Sequence, residues 1–218
     1  MYQPPHFRED RIEVQHGLIR SHPLGLLISA GPGGLQANPI PFLVYSDHTP
    51  HGTLRAHMAR GNPQWRELAA VQESASQECL VVFQGPQQYI TPSWYPTKHE
   101  HGKAVPTWNY ITVHAWGRPQ VIDGTAWLRR QVDDLTSHNE GSRPAPWYVS
   151  DAPEDYVAAQ LKGIVGIEIP AASKVLAPGD WKKVRRPKEY ARRRHRVAER
   201  HRGFIFIKRL SPRDAESQ

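Results

Sequence analysis

The chain has 218 residues, enough for one domain with a sizeable hydrophobic core. Its single cysteine, Cys79, excludes an internal disulfide and a multi-cysteine zinc site. No apolar run approaches the length of a membrane span, and the polar first ten residues do not resemble a signal peptide. We therefore expect a soluble, cytoplasmic protein without membrane contact.

Charge is distributed unevenly along the chain. Residues 181–218 hold 14 of the 28 basic residues but only 4 of the 21 acidic ones, so the preceding part is slightly acidic. A basic terminal segment is typical of arms that contact nucleic-acid phosphates, and equally typical of a solvated terminus. We expect a domain over 1–180 and a basic C-terminal tail over 181–218, with nucleic acid as a candidate partner of the tail.

The first half of the chain predicts two helices and four strands. Helical spacing over 10–22 favours a helix with Asp10 as its N-cap, and Pro23 ends it. A shorter helix begins at Asn62-Pro63 and continues to about residue 70. The predicted strands cover residues 24–30, 35–45, 53–58 and 78–84, with prolines in the second that suit a sheet edge and with turns at 31–34 and at Gly85-Pro86.

The second half begins with a loop over 92–106 that is rich in proline and tryptophan. The longest predicted strand, over 107–122, has no uniformly polar face, so we expect it to be covered on both sides. Helices over 126–138 and 153–162 and a last strand over 163–170 complete the domain. Five or six short strands with outer helices indicate an α+β fold built on a small barrel.

The first candidate site is the turn that follows the strand at 53–58. The strand delivers His57 and Arg60 to the start of the helix at Asn62. A cation, an imidazole and free N–H groups at a helix N-terminus suit a phosphate. The alternative is a surface turn with incidental charges.

Two aromatic segments follow, and each suits a flat ligand. Trp94 and Tyr95 lie in a proline-stiffened loop, where they form either a wall for a planar ring or a plug for the barrel end. Trp108 and Tyr110 share one face of a strand. Asn109 points the other way, with an amide that suits either a ring edge or a backbone partner.

Motifs for other chemistry are missing from the sequence. It contains no Gly-x-Gly-x-x-Gly, no Walker loop and no nucleophile elbow, and no nucleophile stands beside an evident base. His99-Glu100-His101 in a charged loop is a weak metal candidate. We therefore assign no catalytic residue and no metal ligand, and leave open whether the protein is an enzyme.

Four runs of the sequence, taken in order, form a distinctive set. They are His57-Met58-Ala59-Arg60-Gly61-Asn62-Pro63-Gln64-Trp65, Val81-Val82-Phe83-Gln84-Gly85-Pro86, Tyr89-Ile90-Thr91-Pro92-Ser93-Trp94-Tyr95 and Val105-Pro106-Thr107-Trp108-Asn109-Tyr110. These runs resemble the PaiB family of FMN-binding negative transcriptional regulators, and the resemblance covers about residues 1–170.

The resemblance implies an FMN-binding split β-barrel with peripheral helices, of the flavin-reductase and pyridoxamine-oxidase type. It also implies a homodimer with FMN sites at the subunit interface, and a regulatory role that is direct or indirect. By analogy, the cofactor-binding residues would be His57, Arg60 and Asn62 near the phosphate, with Trp94, Tyr95, Lys98, Trp108, Asn109 and Tyr110 lining the site. Because a fold does not fix a function, the alternatives are a flavin-dependent oxidoreductase and a binder of haem or another planar ligand.

Trp181-Lys182-Lys183 begins like the Trp-Lys motif that closes the family, but the resemblance does not continue. The family closes there with a segment rich in Ser, Gln and Asn, whereas this chain continues with Val184-Arg185-Arg186-Pro187. Either the tail is a native basic arm, or a shift of reading frame has replaced the usual ending. The coding DNA distinguishes these two hypotheses.

Overall fold

The computed structural model describes residues 7–46, 49–73 and 78–178, where the chain forms five α-helices and eight strands. The helices are α1 (Ile12–Ser21), α2 (Gln64–Glu73), α3 (Pro96–His101), α4 (Thr125–Glu140) and α5 (Glu154–Lys162). The strands are β1 (Leu24–Gly31), β2 (Gly34–Pro41), β3 (Leu43–Tyr45), β4 (Thr53–Ala59), β5 (Cys79–Ile90), β6 (Thr107–Gly117), β7 (Gln120–Ile122) and β8 (Ile164–Pro178). The predicted tail, 181–218, lies outside the described residues.

The strands form an antiparallel sheet of order β2-β1-β5-β6-β8-β4-β3, and β7 also pairs with β8. Strand β8 links the two parts of this sheet, because its first half pairs with β4 and β7 and its second half pairs with β6. The proline-containing β2 lies at one edge, as the sequence predicts, where a missing N–H costs no ladder hydrogen bond.

The core lies on the inner face of this sheet. Leu27 of β1, Phe83 of β5 and Leu54 of β4 are fully buried there, and Phe42 packs its ring edge against Phe83 at a centroid distance of 5.8 Å. Burying each such side chain contributes about 1.5–3 kcal/mol relative to leaving it in water. Helix α1 adds Leu18 and Ile19 to the same cluster.

A second cluster holds α4 and α5 against the opposite, outer side of β4 and β8. Leu128 of α4 packs with Val157 and Leu161 of α5, and the ring of Trp127 covers Gly166 of β8. A Cβ atom at Gly166 would overlap that ring, so the glycine permits the close approach of α4. None of the helices in the described residues is long and apolar enough to cross a bilayer.

Two predictions about turns and caps are wrong. The residue at the N-cap of α1 is Arg11 and not Asp10, and no side chain caps that end. Gly85-Pro86 is not a turn, because β5 continues through it with a bulge and pairs with β6 on both sides.

The predicted strand boundaries also need correction. The strand predicted over 107–122 breaks after Gly117, where Arg118-Pro119 separates β6 from β7 and proline has no N–H to donate. The last strand extends to Pro178, which makes β8 the longest at 15 residues. Among the described residues nothing covers the outer face of β6 at Trp108 and Tyr110, which are exposed.

Candidate functional site

A bulge in β5 decides which of its side chains face outwards. Gln84 and Gln87 are three residues apart, yet their partners on β6 are only two residues apart. Because side chains alternate along a strand, the extra residue turns Gln87 and Tyr89 to the same face as Tyr110 and Trp108. Without the bulge they would point to the opposite face.

Gly85 is the residue that permits this bulge beneath α1. A Cβ atom at Gly85 would lie 2.6 Å from Cδ1 of Leu18, which belongs to the core. The glycine therefore lets the bulged strand and the helix pack against each other.

Three aromatic rings stand exposed on the face that the bulge creates. Tyr89 is 48 % exposed, Trp108 56 % and Tyr110 46 %. The Tyr89 and Trp108 rings lie 6.1 Å apart between centroids, and Nε1 of Trp108 donates a hydrogen bond of 3.1 Å to Oε1 of Gln87. This hydrogen bond favours one orientation of the indole.

Trp108 and Tyr110 border an open cleft of about 410 Å³ on the outer side of β5 and β6. Val82 and Ile111 give it an apolar surface, and Gln84 and Gln87 add amides. His114 also lines the cleft, and burial lowers the pKa of its imidazole below the usual value, which favours the neutral form. A flat, partly polar ring matches this combination of rings, amides and apolar surface.

Apolar side chains extend the face beyond the cleft. Leu26 of β1 pairs with Val82, so the two side chains share the outer face, and Leu26 is 37 % exposed. Leu24 and Leu35 are exposed by 63 % and 80 %. Exposed apolar groups next to one another on a sheet are typical of a surface that contacts a partner. We call this surface, together with the cleft, the open face.

Arg60, predicted to contact a phosphate, lies at the end of β4 and is held within the chain. Its guanidinium forms an ion pair with Asp123, and it donates hydrogen bonds to the backbone oxygens of Lys162 at 3.1 Å and Ile164 at 2.9 Å. The hydrogen bond from Arg60 holds the pKa of the Asp123 carboxyl below its usual value. Arg60 also borders a second cleft of about 240 Å³ between α4 and α5.

His57 and Asn62 also have partners within the chain. Nδ1 of His57 donates to Oε1 of Gln131 on α4 at 2.5 Å. Oδ1 of Asn62 accepts a hydrogen bond of 3.0 Å from the backbone N–H of Gln64 and so caps the start of α2. The predicted group of His57, Arg60 and Asn62 therefore stabilises the junction of β4 with its helices.

The segment that carries Trp94, Tyr95 and Lys98 follows the end of β5. Trp94 ends a 3-10 turn and Tyr95 precedes α3, while Nζ of Lys98 donates a hydrogen bond of 3.0 Å to Oγ of Ser93. These three predicted residues do not line the 410 Å³ cleft. Chain order places them beyond Ile90, which pairs with the first residue of β6.

Asn109 is separated from its aromatic neighbours by the alternation of β6. It is 3 % exposed and faces inwards, whereas Trp108 and Tyr110 face the cleft. The described chain thus divides the predicted residues into a paired group around Arg60 and an open group around Trp108, and neither cleft is lined by both. The expectation that all of them meet in one cleft is not met within a single chain.

Sequence reasoning missed Gln84 and Gln87, which line the cleft together with His114. The bulge at Gly85-Pro86 brings Gln87 to the open face. A Gly-Pro pair inside an otherwise regular strand is the signal for it, although the same pair is also typical of a turn.

The shared strand β8, the antiparallel order and the outer helices define the protein as a split-barrel protein. Its fold is similar to that of the FAD and haem binding protein from Mycobacterium smegmatis, with a TM-score of 0.58 and 16 % identity over 85 % of this chain and 80 % of that one. The flavocytochrome Anf3 from Azotobacter vinelandii gives a TM-score of 0.57 and 11 % identity over 85 % and 75 %. The predicted α+β split barrel is confirmed.

The family profile described as "Putative FMN-binding domain" matches residues 1–173, and the chain belongs to this family. The protease synthase and sporulation protein PAI 2 of Bacillus subtilis is 30 % identical, over 78 % of this chain and 76 % of that one. An uncharacterized protein of Aspergillus fumigatus is 39 % identical, over 78 % and 80 %. The resemblance to PaiB is confirmed, and FMN is the family's cofactor.

The residues of the open face fit the ring part of FMN. Trp108 and Tyr110 offer aromatic surface to an isoalloxazine, and Gln87 offers an amide to its polar edge. The phosphate part fits less directly, because Arg60 has its partners elsewhere in the chain. When bound, FMN supplies redox chemistry, and the protein supplies orientation and electrostatics.

Proposed function

We propose that this FMN-binding split-barrel protein is a homodimer in which each FMN lies between two copies. The isoalloxazine ring lies against Trp108 and Tyr110 of one copy, and the phosphate lies near Arg60 and Asn62 of the other. The observation that supports this proposal is the open face, whose exposed rings lie in a cleft without a cation of the predicted phosphate group.

The exposed leucines of the open face favour a second copy as its partner. Leu24, Leu26 and Leu35 leave apolar surface in water at a cost of about 25 cal/mol per Å². A two-fold dimer repeats each contact on both copies, so an interface in which the open face of one copy meets the Arg60 turn of its partner covers both open faces. The FMN sites then lie where the open faces meet the cationic turns.

The ion pair of Arg60 does not oppose phosphate binding strongly. Asp123 is exposed, with a side-chain exposure of 67 %, and a surface ion pair contributes only about 0–1 kcal/mol. Hydrogen bonds between a guanidinium and a phosphate are charge-assisted and bidentate. A phosphate can therefore replace the Asp123 carboxylate at small cost.

Mixed dimers test whether the site is shared. Trp108→Ala and Arg60→Ala chains are prepared separately, each expected to bind little FMN, and are then refolded together with different affinity tags. In a shared site, each mixed dimer has one site with both wild-type residues. Statistical mixing should then restore about a quarter of the wild-type FMN content, measured by flavin absorbance.

The unmixed variants and a mixture of each variant with itself serve as controls. If both residues act within one chain, the mixture binds no more FMN than its components, and the shared site is refuted. Sedimentation of the wild-type protein as a monomer at the same concentration contradicts the dimer.

A haem or similar planar ligand is the second candidate, and His114 is the observation that favours it. A neutral imidazole beside aromatic and apolar surface is the usual environment of an axial haem ligand. Haemin titration with a Soret shift that His114→Ala abolishes would support it. A purified protein with only a flavin spectrum, and no Soret shift on titration, counts against it.

A role in negative transcriptional regulation, direct or indirect, rests on the PaiB resemblance and on the charge of residues 181–218. Contacts from Arg192, Arg193 and Arg194 to DNA would be contacts to phosphates, so binding should weaken steeply with salt. Binding isotherms at two salt concentrations test this proposal. A salt-insensitive, sequence-specific footprint contradicts binding through the tail.

A further inference from the structure

The hydrogen bond from Trp108 determines which end of the Gln87 amide faces the indole. An indole N–H can only donate a hydrogen bond, so the atom that accepts from Nε1 of Trp108 at 3.1 Å must be the amide oxygen of Gln87. The two ends of an amide are otherwise easily confused. The NH₂ group of Gln87 is therefore the end that remains for a ligand, and it has no protein partner among the described residues.

The cleft holds further polar groups, among them the Tyr110 hydroxyl and the His114 imidazole. The hydroxyl of Thr112 donates to the backbone oxygen of Phe83 at 2.9 Å and is already used. Gln84, on the other side of the bulge, lines the same cleft and brings a second amide. Two amides beside exposed aromatic rings match a heterocycle whose edge carries carbonyl oxygens next to an N–H group.

We propose that Gln87 selects ligands of the pyrimidinedione type, such as the polar end of a flavin, by donating its NH₂ group to a ring carbonyl. This inference rests on the proposed function, in which the flavin ring lies against Trp108. A ring without a carbonyl at that edge leaves the amide donor unpaired on binding, and such a ligand is rejected.

The substitution Gln87→Glu isolates the donor. Glutamate keeps an oxygen to accept from Trp108, but replaces the NH₂ group by a second oxygen that repels a ring carbonyl. We expect the dissociation constant for FMN, measured by fluorescence quenching, to rise about tenfold or more. Riboflavin carries the same ring edge without the phosphate, so its dissociation constant should rise by the same factor.

Two matched variants accompany this measurement. Gln160→Glu makes the same change of charge at an exposed position of α5, outside the cleft, and should leave both dissociation constants unchanged. Arg60→Ala should weaken FMN binding more than riboflavin binding, because only FMN carries the phosphate. Thermal unfolding of each variant checks that the fold is intact.

The outcomes separate this inference from the proposed function. Wild-type protein that binds neither flavin overturns both. Wild-type binding with an unchanged Gln87→Glu variant overturns the role of Gln87 alone. An effect of Gln87→Glu on FMN but not on riboflavin also overturns it, because the change then acts through charge on the phosphate and not through the ring edge.

Discussion

The two outer regions of this barrel differ in whether their polar and aromatic side chains have partners within the chain. Beneath α4, Arg55 of β4 pairs with Glu168 of β8 at 2.6 Å, and the hydroxyl of Tyr45 donates to Asp134. On the open face, Trp108 and Tyr110 are exposed, and no helix of the part of the chain that the structure describes covers them. Paired groups stabilise the chain that contains them. Exposed rings contribute favourable free energy only when they are buried against a ligand or another copy.

The polar groups beneath α4, in what we call the covered region, are poor ligand contacts because they already have partners. Side-chain exposure is 25 % for Arg55 and 18 % for Glu168, and the Arg55 guanidinium also lies 4.4 Å from the centre of the Tyr45 ring. Removing one partner of such a pair leaves a partly buried charge without compensation, which costs more than the pair contributes. A ligand that took Arg55 or His57 would have to replace these contacts.

Cysteine labelling gives the largest expected contrast between the inner and outer sides of the sheet. Burial raises the pKa of the Cys79 thiol to about 12, so at pH 8 it has roughly a thousandfold less thiolate than an exposed cysteine. Tyr110→Cys adds an exposed thiol on the open face, and Cys79 in the same molecule serves as the internal control. Mass spectrometry of the alkylated protein should show rapid modification at position 110 and almost none at Cys79.

The same variant reports on the second copy. In a dimer that covers the open face, labelling at position 110 should slow as protein concentration rises, while Cys79 stays unmodified throughout. Labelling at 110 that is fast at every concentration argues against coverage of the face. Rapid modification of Cys79 in the native protein contradicts the inner position of that residue.

Gly166→Ala tests the covered region and has the next largest effect. The added methyl overlaps the Trp127 ring, so α4 must shift, and we expect about 1–3 kcal/mol of destabilisation in urea unfolding. Gly61→Ala is the control, since a Cβ there meets nothing within 4 Å. Equal stability of the two variants would show that α4 does not rest on β8 as described.

The contrast between the two regions was only partly predictable from the sequence. Local signals were sufficient for the helix that ends before Pro23, for the edge prolines, and for the helix start at Asn62-Pro63, because each depends on neighbouring residues only. The rings of Trp108 and Tyr110 on one face follow from strand alternation.

The remaining features depend on partners distant in the chain. Arg60 pairs with Asp123 and His57 with Gln131, and no local pattern indicates either contact. The Gly85-Pro86 pair fits a turn as well as a bulge, and only the pairing of β5 with β6 on both sides of Gly85 distinguishes the two. The sequence therefore predicts a turn whose cation is free to bind a ligand, whereas in the folded chain that cation already has partners.

Tyr45 provides the smallest and most specific test of the covered region. Burial, and then the hydrogen bond to Asp134, raises the pKa of the Tyr45 hydroxyl well above its usual value near 10. The folded state therefore holds this proton more tightly than the unfolded state. The contribution is fully present below about pH 10, and stability falls as pH rises from there towards the folded pKa.

Tyr45→Phe should separate the two contributions of this hydroxyl. At pH 7 the variant loses one hydrogen bond and about 0.5–1.5 kcal/mol. Above pH 10 its unfolding free energy should fall less steeply than that of the wild type, because its position 45 carries no proton to lose. Urea unfolding from pH 7 to 11 measures both. Tyr148→Phe, at a tyrosine that is 48 % exposed, is the control and should keep the wild-type slope. Parallel curves for the wild type and Tyr45→Phe would mean that Tyr45 ionises as readily in the folded chain as in water, and the covered region would then be as accessible to solvent as the open face.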